Sequence, residues 1–456
     1  MTVVGSTIFA LSSGRPPCAI AVIRISGPGA RRALQRLAGR IPEPRVATFV
    51  RVRDPDGAGV IDEGLALWFP GPKSETGEDV AELQVHGGRA VVAAVLNALG
   101  RLEGFRHAEA GEFTRRAFEN GRLDLTAIEG LADLVAAETE AQRRQALRQM
   151  QGEFARRIAT WREQLIAVRA LLEAGIDFSD EGDVPAGLAA EAVDRLRPVV
   201  RELGEAERGR GERLRDGLQV VIAGAPNVGK STLLNRLAQR EVAIVSQVAG
   251  TTRDVIEVHL DLAGYPVTLR DTAGIRFAAD PVEQEGVRRA EQWVAASDLV
   301  LWVVDAAQSE RDAMDDDVTN LPAGGAPAWI VANKADLLEN YRSESYFISS
   351  VKRTFLISAS EGQGIDELVT AIGTFAKEQL EVEAGLVTRE RHRQMLAMAS
   401  AALSEGLRLA KLGADGREEL IAEQVRLATR ALERLLGTVD VEDVLDLIFR
   451  EFCIGK

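Results

Sequence analysis

An apolar run, Leu218-Gln219-Val220-Val221-Ile222-Ala223, leads straight into Gly224-Ala225-Pro226-Asn227-Val228-Gly229-Lys230-Ser231. Few folds accommodate a buried parallel strand that delivers a glycine-rich turn to the start of a helix. In such a turn the glycines let backbone N–H groups point inward around phosphate oxygens, and the helix N-terminus adds positive potential. Lys230 then reaches the β and γ phosphates, Ser231 offers its hydroxyl to magnesium, and Asn227, Val228, Gly229 and Thr232 complete the phosphate-binding set. A glycine loop that arose by chance would have no sequel. Here three further elements follow in order.

The first is Asp271-Thr272-Ala273-Gly274, after the predicted strand Val267 to Arg270. A carboxylate at that strand end is placed to hold the magnesium shell, and the Gly274 N–H to meet a γ-phosphate oxygen. The second is Asn333-Lys334-Ala335-Asp336, after a predicted strand at 329–332. An aspartate there accepts two hydrogen bonds from the N1–H and N2–H2 edge of guanine. Adenine lacks that edge, and leaving such a group unpaired costs roughly four to five decades of discrimination, so the expected nucleotide is GTP. The third, Ser358-Ala359-Ser360, presents a backbone N–H to guanine O6. Together with Thr251-Thr252, these segments resemble the translation-factor-like GTPases, which makes Thr252 the switch threonine that joins magnesium. Ile275 stands where Ras-type enzymes carry the glutamine that orients the attacking water, and it cannot do that work.

At 456 residues the chain is expected to hold about three domains. With 46% apolar and 27% charged residues and a mean hydropathy of −0.05, its composition is that of a globular protein, not a disordered or membrane-embedded one. No apolar run reaches the roughly 18 residues that span a bilayer, and the first residues lack a secretory layout, so a cytoplasmic location is expected. The net charge of −14 argues against nonspecific coating of nucleic acid. A nucleic-acid partner then requires a local basic patch or a second protein. Cys18 and Cys453 form no disulfide framework or four-ligand zinc site, and His86, His107, His259 and His392 have no metal-ligand spacing.

Strands are predicted at 19–25 and 80–85, making the first 120 or so residues α+β. A helical pattern runs from Leu125 to Met150, followed by a stripe of Ile158, Trp161, Leu165, Val168 and Leu172 at steps of three and four. After an acidic loop at 177–183, a polar helix reaches about Arg215. Apolar runs at 218–224, 299–304 and 329–332, with a further strand at 354–357, alternate with helices as in a doubly wound parallel sheet. The tail returns to helix, with Ile421, Val425, Leu432 and Leu435 on one stripe and Val444, Ile448 and Phe452 on the last. The expected layout is an α+β domain at 1–121, a discontinuous all-α domain at 122–214 and 378–456, and an inserted α/β P-loop G domain at 215–377.

Three segments extend the resemblance beyond the G domain: AVIRISGPGA at 21–30, TGEDVAELQVHGG at 76–88 and the final Phe452-Cys453-Ile454-Gly455-Lys456. Combined with GAPNVGKS, AGTTRD and DTAGIR, they make the chain similar from end to end to the MnmE (TrmE) family of tRNA-modification GTPases. The terminal CIGK does not fit a prenylation box, which wants two aliphatics after cysteine and a different last residue.

The resemblance implies a dimeric GTPase activated by potassium and by face-to-face approach of two G domains. Working with an FAD-dependent, MnmG/GidA-like partner in a heterotetramer, it adds a (carboxymethyl)aminomethyl group to C5 of the wobble uridine of certain tRNAs. The carbon comes from 5,10-methylene- or 5-formyl-tetrahydrofolate. The resemblance places the potassium ligands at Asn227, Ser246, Val248 and Thr251, within a nucleotide-contacting loop that also holds Gln247, Ala249, Gly250 and Thr252. Such an ion sits where an arginine finger otherwise would, a device worth roughly 10³ to 10⁵ in rate. Glu283 matches the family's catalytic acid, which orients water in place of the absent glutamine. By itself it reads equally as a solvated glutamate at a helix start.

Family folate positions fall on Arg24, Glu82, Arg122 and Lys456. Glu82 suits the paired N–H donors of a pterin and the cations suit a glutamate tail, although Arg24 alone reads as flanking a strand and Glu82 as facing solvent. The loop SSGRPPCA at 12–19 departs from the glycine-rich run usual in the family. Cys453 is the implied catalytic thiol near the folate; alone it reads as a small buried apolar residue. Two other functions fit the G domain: a ribosome-assembly switch GTPase without covalent chemistry, which usually carries a basic appendage, and a scaffold whose GTPase regulates docking.

Overall fold

The computed structural model describes residues 5–57, 59–177, 187–209, 211–240, 242–244, 257–271, 293–307, 326–338, 353–381, 385–412, 417–439, 448–449 and 455. The chain divides into two compact units. One comprises residues 1–132, 149–200 and 398–456, and the other residues 133–148 and 201–397.

In the first unit, β1 (Thr7–Leu11), β2 (Cys18–Ser26), β3 (Thr48–Arg53), β4 (Val60–Phe69), β5 (Val80–Gly87) and β6 (Phe105–His107) form one sheet in the order β3-β4-β5-β2-β1-β6. Neighbours are antiparallel except the β1–β6 pair. The strands expected at 19–25 and 80–85 are β2 and β5. Period-two alternation puts Ile23, Ile25, Val50, Val52 and Leu83 in a core. That core is closed by α1 (Ala30–Ala33), a π-helical turn at Leu34–Ala38, and α2 (Arg89–Gly100). Gly64 allows the close approach of β4 to β5: a Cβ there would lie 2.1 Å from the Gln84 carbonyl oxygen.

In sequence after β6 come α3 (Glu112–Glu119), α4 (Leu125–Ala136), α5 (Glu140–Met150), α6 (Glu153–Asp177), α7 (Leu188–Glu207) and α8 (Gly211–Asp216), of which most of α5 and all of α8 belong to the second unit. The stripe expected on α6 is buried throughout, from Ile158 to Leu172. Within the first unit it packs against the helix Glu418–Leu436, whose Ile421, Val425, Leu432 and Leu435 are buried and whose Glu433 pairs with Arg162 at 2.8 Å. Ile448 is buried beside Leu125 and Ile128, while Val444 and Phe452 fall outside the described residues.

The single helix expected from Leu125 to Met150 is two. Gln142 Oε1 accepts from the Thr139 N–H at 3.1 Å, and the Gln142 N–H donates back to Thr139 Oγ1 at 3.4 Å. That reciprocal capping box starts a new helix at Glu140, and the Thr-x-x-Gln spacing announces it in the sequence. The polar helix expected to reach Arg215 is likewise divided into α7 and α8.

In the second unit, β7 (Leu218–Gly224), β8 (Ala243–Ile244), β9 (Glu257–Leu262), β10 (Tyr265–Asp271), β11 (Leu299–Asp305), β12 (Ala328–Asn333) and β13 (Thr354–Leu356) form a second sheet. Its order is β13-β12-β11-β7-β10-β9-β8. The five strands from β13 to β10 are parallel, as the buried apolar runs predict. The departure is at one edge, where β9 and β8 run antiparallel. Ala263 and Gly264, with φ of 55° and 86°, make the tight turn that folds β9 back on β10. Helix α9 (Lys230–Ala238) and the helix Ile365–Glu381 pack their apolar faces, including Leu233, Leu234, Leu368 and Ile372, into the core of this sheet. No helix among the described residues is long and apolar enough to cross a membrane.

Candidate functional site

Strand β7 lies between β10 and β11, so its C-terminal end opens where chain connections diverge to either side of the sheet, the place where open α/β folds bind ligands. Gly224 has φ of 139°, and a Cβ on it would stand 2.2 Å from the Val303 carbonyl oxygen. Gly229, at φ 98°, abuts Asn333, whose Nδ2 would lie 2.2 Å from an added Cβ. These two positions exclude any side chain, and the exposed Asn227 between them takes φ of 64°. The backbone is thereby bent into a loop that hands its N–H groups to the start of α9.

Lys230 is buried, with Nζ donating to the carbonyls of Gly224 at 2.9 Å and Ala225 at 2.7 Å. Burial lowers its pKa below the ordinary lysine value, against the opposing pull of Asp271. Ser231 Oγ donates to Asp271 Oδ2 at 2.7 Å. A hydroxyl and a carboxylate at that separation form a hard-oxygen donor set that suits magnesium. Thr232 lies on the exposed side of α9.

The base-reading segments meet the phosphate loop through one buried side chain. Asn333 Nδ2 donates to the Val228 carbonyl at 2.8 Å, and its Oδ1 accepts the Ala359 N–H at 2.9 Å. Ser358 is buried and donates to Asp336 Oδ1 at 2.5 Å, while the Asp336 carboxylate is exposed. Ser360 lies within 3.1 Å of Ser358. Of the expected nucleotide residues, Asn227, Val228, Gly229, Lys230, Ser231, Thr232, Asp271, Asn333, Lys334, Asp336, Ser358, Ala359 and Ser360 are thus gathered at one end of this sheet. Ser246, Gln247, Val248, Ala249, Gly250, Thr251, Thr252, Thr272, Ala273, Gly274 and Glu283 lie outside the described residues.

Two residues of this site go unmarked by motif. Asp305, opposite Asn333 in the β11–β12 register, accepts from Lys334 Nζ at 2.7 Å and so holds that lysine. Arg236, on α9, donates from Nε to the Ala359 carbonyl at 3.1 Å and from Nη2 to Ser360. It ties the loop that meets guanine O6 to the helix that meets phosphate. Arg236→Ala is expected to raise KM for GTP about tenfold with kcat within about twofold, as for loss of binding shared by ground and transition states. Steady-state kinetics checks this, and an unchanged KM would refute it.

In the first unit, the β2–β5 register sets Arg24 opposite Glu82, with Nε 3.0 Å from Oε1. Glu75 takes the other edge of the guanidinium, 2.6 Å from Nη1, a partner no spacing suggested. Arg122 lies by the same loop: a Cβ added to Gly77 would meet its Cγ at 3.3 Å. Cys453 and Lys456 fall outside the described residues, while the Gly455 carbonyl accepts from Ser12 Oγ at 2.8 Å.

The comparisons with known proteins converge on these segments. Residues 7–122 match the family model described as the GTP-binding protein TrmE N-terminus, and residues 125–453 match the MnmE helical domain. The tRNA modification GTPase MnmE of Bradyrhizobium sp. strain BTAi1 is 55% identical over 453 residues, covering 99% of both chains. The chain belongs to the MnmE family. That of Rhodopseudomonas palustris strain BisB18 is likewise 55% identical over 452 residues, again covering 99% of each chain. Like other MnmE-family members, the chain is a GTP hydrolase with a P-loop, and GTP with Mg2+ is what the loop at 224–231 takes.

Proposed function

We propose that this chain is a potassium-activated, dimerisation-dependent GTPase that modifies C5 of the wobble uridine of certain tRNAs. It acts in the cytoplasm as a homodimer, with an FAD-dependent partner of the MnmG/GidA type in a heterotetramer. The observation that carries the reading is the Arg24–Glu82 pair on adjacent strands of a family-matched N-terminal region, in the unit where Ser12 also holds Gly455 of the C-terminal CIGK segment.

In the nucleotide site, backbone N–H groups of the loop at 224–229 and the Lys230 ammonium hold the phosphates. To reach them Lys230 exchanges two neutral carbonyl partners for anionic phosphate oxygens, gaining charge-assisted hydrogen bonds. Ser231 and Asp271 hold magnesium, with Thr252 as the switch ligand. Asp336, oriented by Ser358, accepts from the guanine edge. Potassium, when bound by Asn227, Ser246, Val248 and Thr251, supplies positive charge beside the phosphates, and Glu283 orients water.

In the N-terminal unit, the two carboxylates that share Arg24 are acceptors for the paired N–H donors of a pterin. Arg24 fixes Glu82, while Arg122 and Lys456 hold the anionic tail. The bound tetrahydrofolate supplies the one-carbon unit, and Cys453 is the thiol beside it.

The test is a strain lacking the gene, complemented with the parent or with Cys453→Ser, and read by mass spectrometry of wobble-uridine nucleosides. The parent is expected to restore the modified nucleoside. Cys453→Ser is expected to leave GTP hydrolysis intact and modification absent. GTP turnover should fall by about two decades or more when sodium replaces potassium. Equal turnover in the two ions removes the potassium part of the proposal, and unmodified tRNA in the complemented strain removes the rest.

A further inference from the structure

The acidic total conceals an opposite local balance. The first 53 residues contain nine arginines, no lysine and one acid, Glu43, a net of +8 in a chain that sums to −14. Folding leaves several of these cations on one helical face and on the edge strand β3, whereas Arg32 lies over Phe105 of β6 at the opposite edge of the sheet and Arg24 pairs with Glu75 and Glu82. On the helical segment at 30–38, Ala30, Ala33, Leu34 and Leu37 are buried, which leaves Arg31, Arg32 and Arg36 exposed, with Arg40 one step of four further on. On β3, Val50 and Val52 enter the core, so Phe49, Arg51 and Arg53 point the other way. At the β3 end of this region a groove of about 510 Å³ is lined by Gly39, Arg40, Phe49, Arg51 and Arg53, with Arg36 one helical turn before Arg40.

The partners of these guanidinium groups decide what the groove can attract. Arg36 donates to the Pro55 carbonyl at 3.0 Å and Arg40 to the Phe49 carbonyl, contacts that orient a cation without neutralising it. Arg31, Arg36, Arg40 and Arg53 have no carboxylate partner among the described residues; Arg51 pairs with Glu63 at 2.8 Å. Phe49 stands among these charges 58% exposed, on a strand whose only sheet neighbour among the described residues is β4. Positive groups held apart by a rigid backbone, with a bare aromatic ring between them, match a phosphate chain that carries an unpaired base. Self-association through this face would set like charges against each other.

We infer that this groove, between the helical segment at 30–38 and the edge strand β3, binds RNA. The arginines hold consecutive phosphates and Phe49 stacks on a base. The inference rests on the tRNA reading given above, and assigns to this chain its own share of tRNA contact in spite of its acidic total.

The test uses the full-length chain and a fluorescein-labelled, unmodified tRNA transcript, with anisotropy measured from about 25 to 300 mM KCl. In the variant Arg36→Gln/Arg40→Gln/Arg53→Gln, affinity at about 0.1 M salt should fall at least about 30-fold, and the slope of log K against log salt should flatten by about 2 to 3. Phe49→Ala should cost about fivefold or more at unchanged slope. GTP hydrolysis and thermal unfolding should match the parent in both. Equal affinity and slope in parent and variant would overturn the inference, as would a parent that binds no tRNA at low salt. A variant that loses its dimer mass in light scattering would give the face to a second copy instead. The wobble-nucleoside assay separates the two claims: modification by a parent whose tRNA binding is indifferent to these substitutions sinks the groove alone, whereas groove-dependent binding without any modification sinks the tRNA-modification reading alone.

Discussion

Asp336→Asn is expected to lower kcat/KM for GTP by about three to five decades and to create turnover of xanthosine triphosphate. The carboxylate of Asp336 is exposed at the sheet end and fixed through Oδ1 by the buried Ser358 hydroxyl. It offers two acceptors to the two donors of the guanine edge, N1–H and N2–H2. Asparagine offers one acceptor and one donor, so its amide N–H2 faces the guanine amino group with nothing to accept it. Xanthine has an N1–H donor beside an O2 acceptor, the complement of an amide. The Ser358 contact survives the substitution because Oδ1 still accepts, so the loop keeps its geometry and the effect is confined to base choice. Parallel turnover assays with the two nucleotides check this. A variant within about tenfold of the parent on GTP would mean that the base is read elsewhere.

What could be read from the sequence followed from how local each determinant is. The phosphate loop is one strand, one turn and one helix start, so the spacing of Gly224, Gly229 and Lys230 carried both its structure and its chemistry. The parallel strands declared themselves because both of their faces are buried. The antiparallel edge did not. The strand at 257–262 alternates Val258, Leu260 and Leu262 with Glu257, His259 and Asp261, a half-exposed pattern without the continuous apolar run of its neighbours. The residues that were missed are tertiary. Arg236 reaches the Ala359 carbonyl across 123 positions of sequence, and Glu75 meets Arg24 across two strands and a loop. Their side chains are ordinary for an amphipathic helix and a polar loop, and nothing in their spacing marks their partners. Arg24 and Glu82 show the intermediate case: each reads as unremarkable alone, and only the β2–β5 register brings them together.

The second large effect concerns the frame around that pair. Arg116 is 6% exposed and donates to the Ser6 carbonyl at 2.9 Å, to both oxygens of Glu78 at 3.2 and 3.0 Å, and to Glu112 at 3.1 Å. Glu78 in turn accepts from Ser26, whose hydroxyl lies 2.7 Å from that of the buried Thr76, one residue from Glu75. Arg116→Ala leaves Glu112, itself 4% exposed, with Arg106 and the Glu109 N–H as its partners among the described residues. Breaking one side of a buried network costs about 3 kcal/mol or more, because the remaining charge stays buried. The transition of the N-terminal region should therefore fall by about 10 °C. Exchange of the exposed Arg143, paired with Glu140 on α5, should leave it unmoved.

The acid limb supplies a further check on the same network. Burial raises the pKa of Glu112, but the Arg106 hydrogen bond, the Glu109 N–H and the charges of Arg106 and Arg116 outweigh it and hold the group below its ordinary 4.5. A carboxyl whose pKa is depressed by folding stabilises the native state in full above its unfolded pKa, and that contribution disappears as pH falls through the lower, folded value. Without Arg116 the depression shrinks, so acid unfolding of the variant should begin at higher pH than in the parent. The two melting temperatures should then converge only once pH has fallen through the lowered, folded pKa of Glu112 in the parent, where the group is protonated in both. Melting curves taken from neutral to acidic pH measure the separation directly. A gap that stays constant down the acid limb would show that Arg116 contributes packing alone and that Glu112 does not depend on its charge.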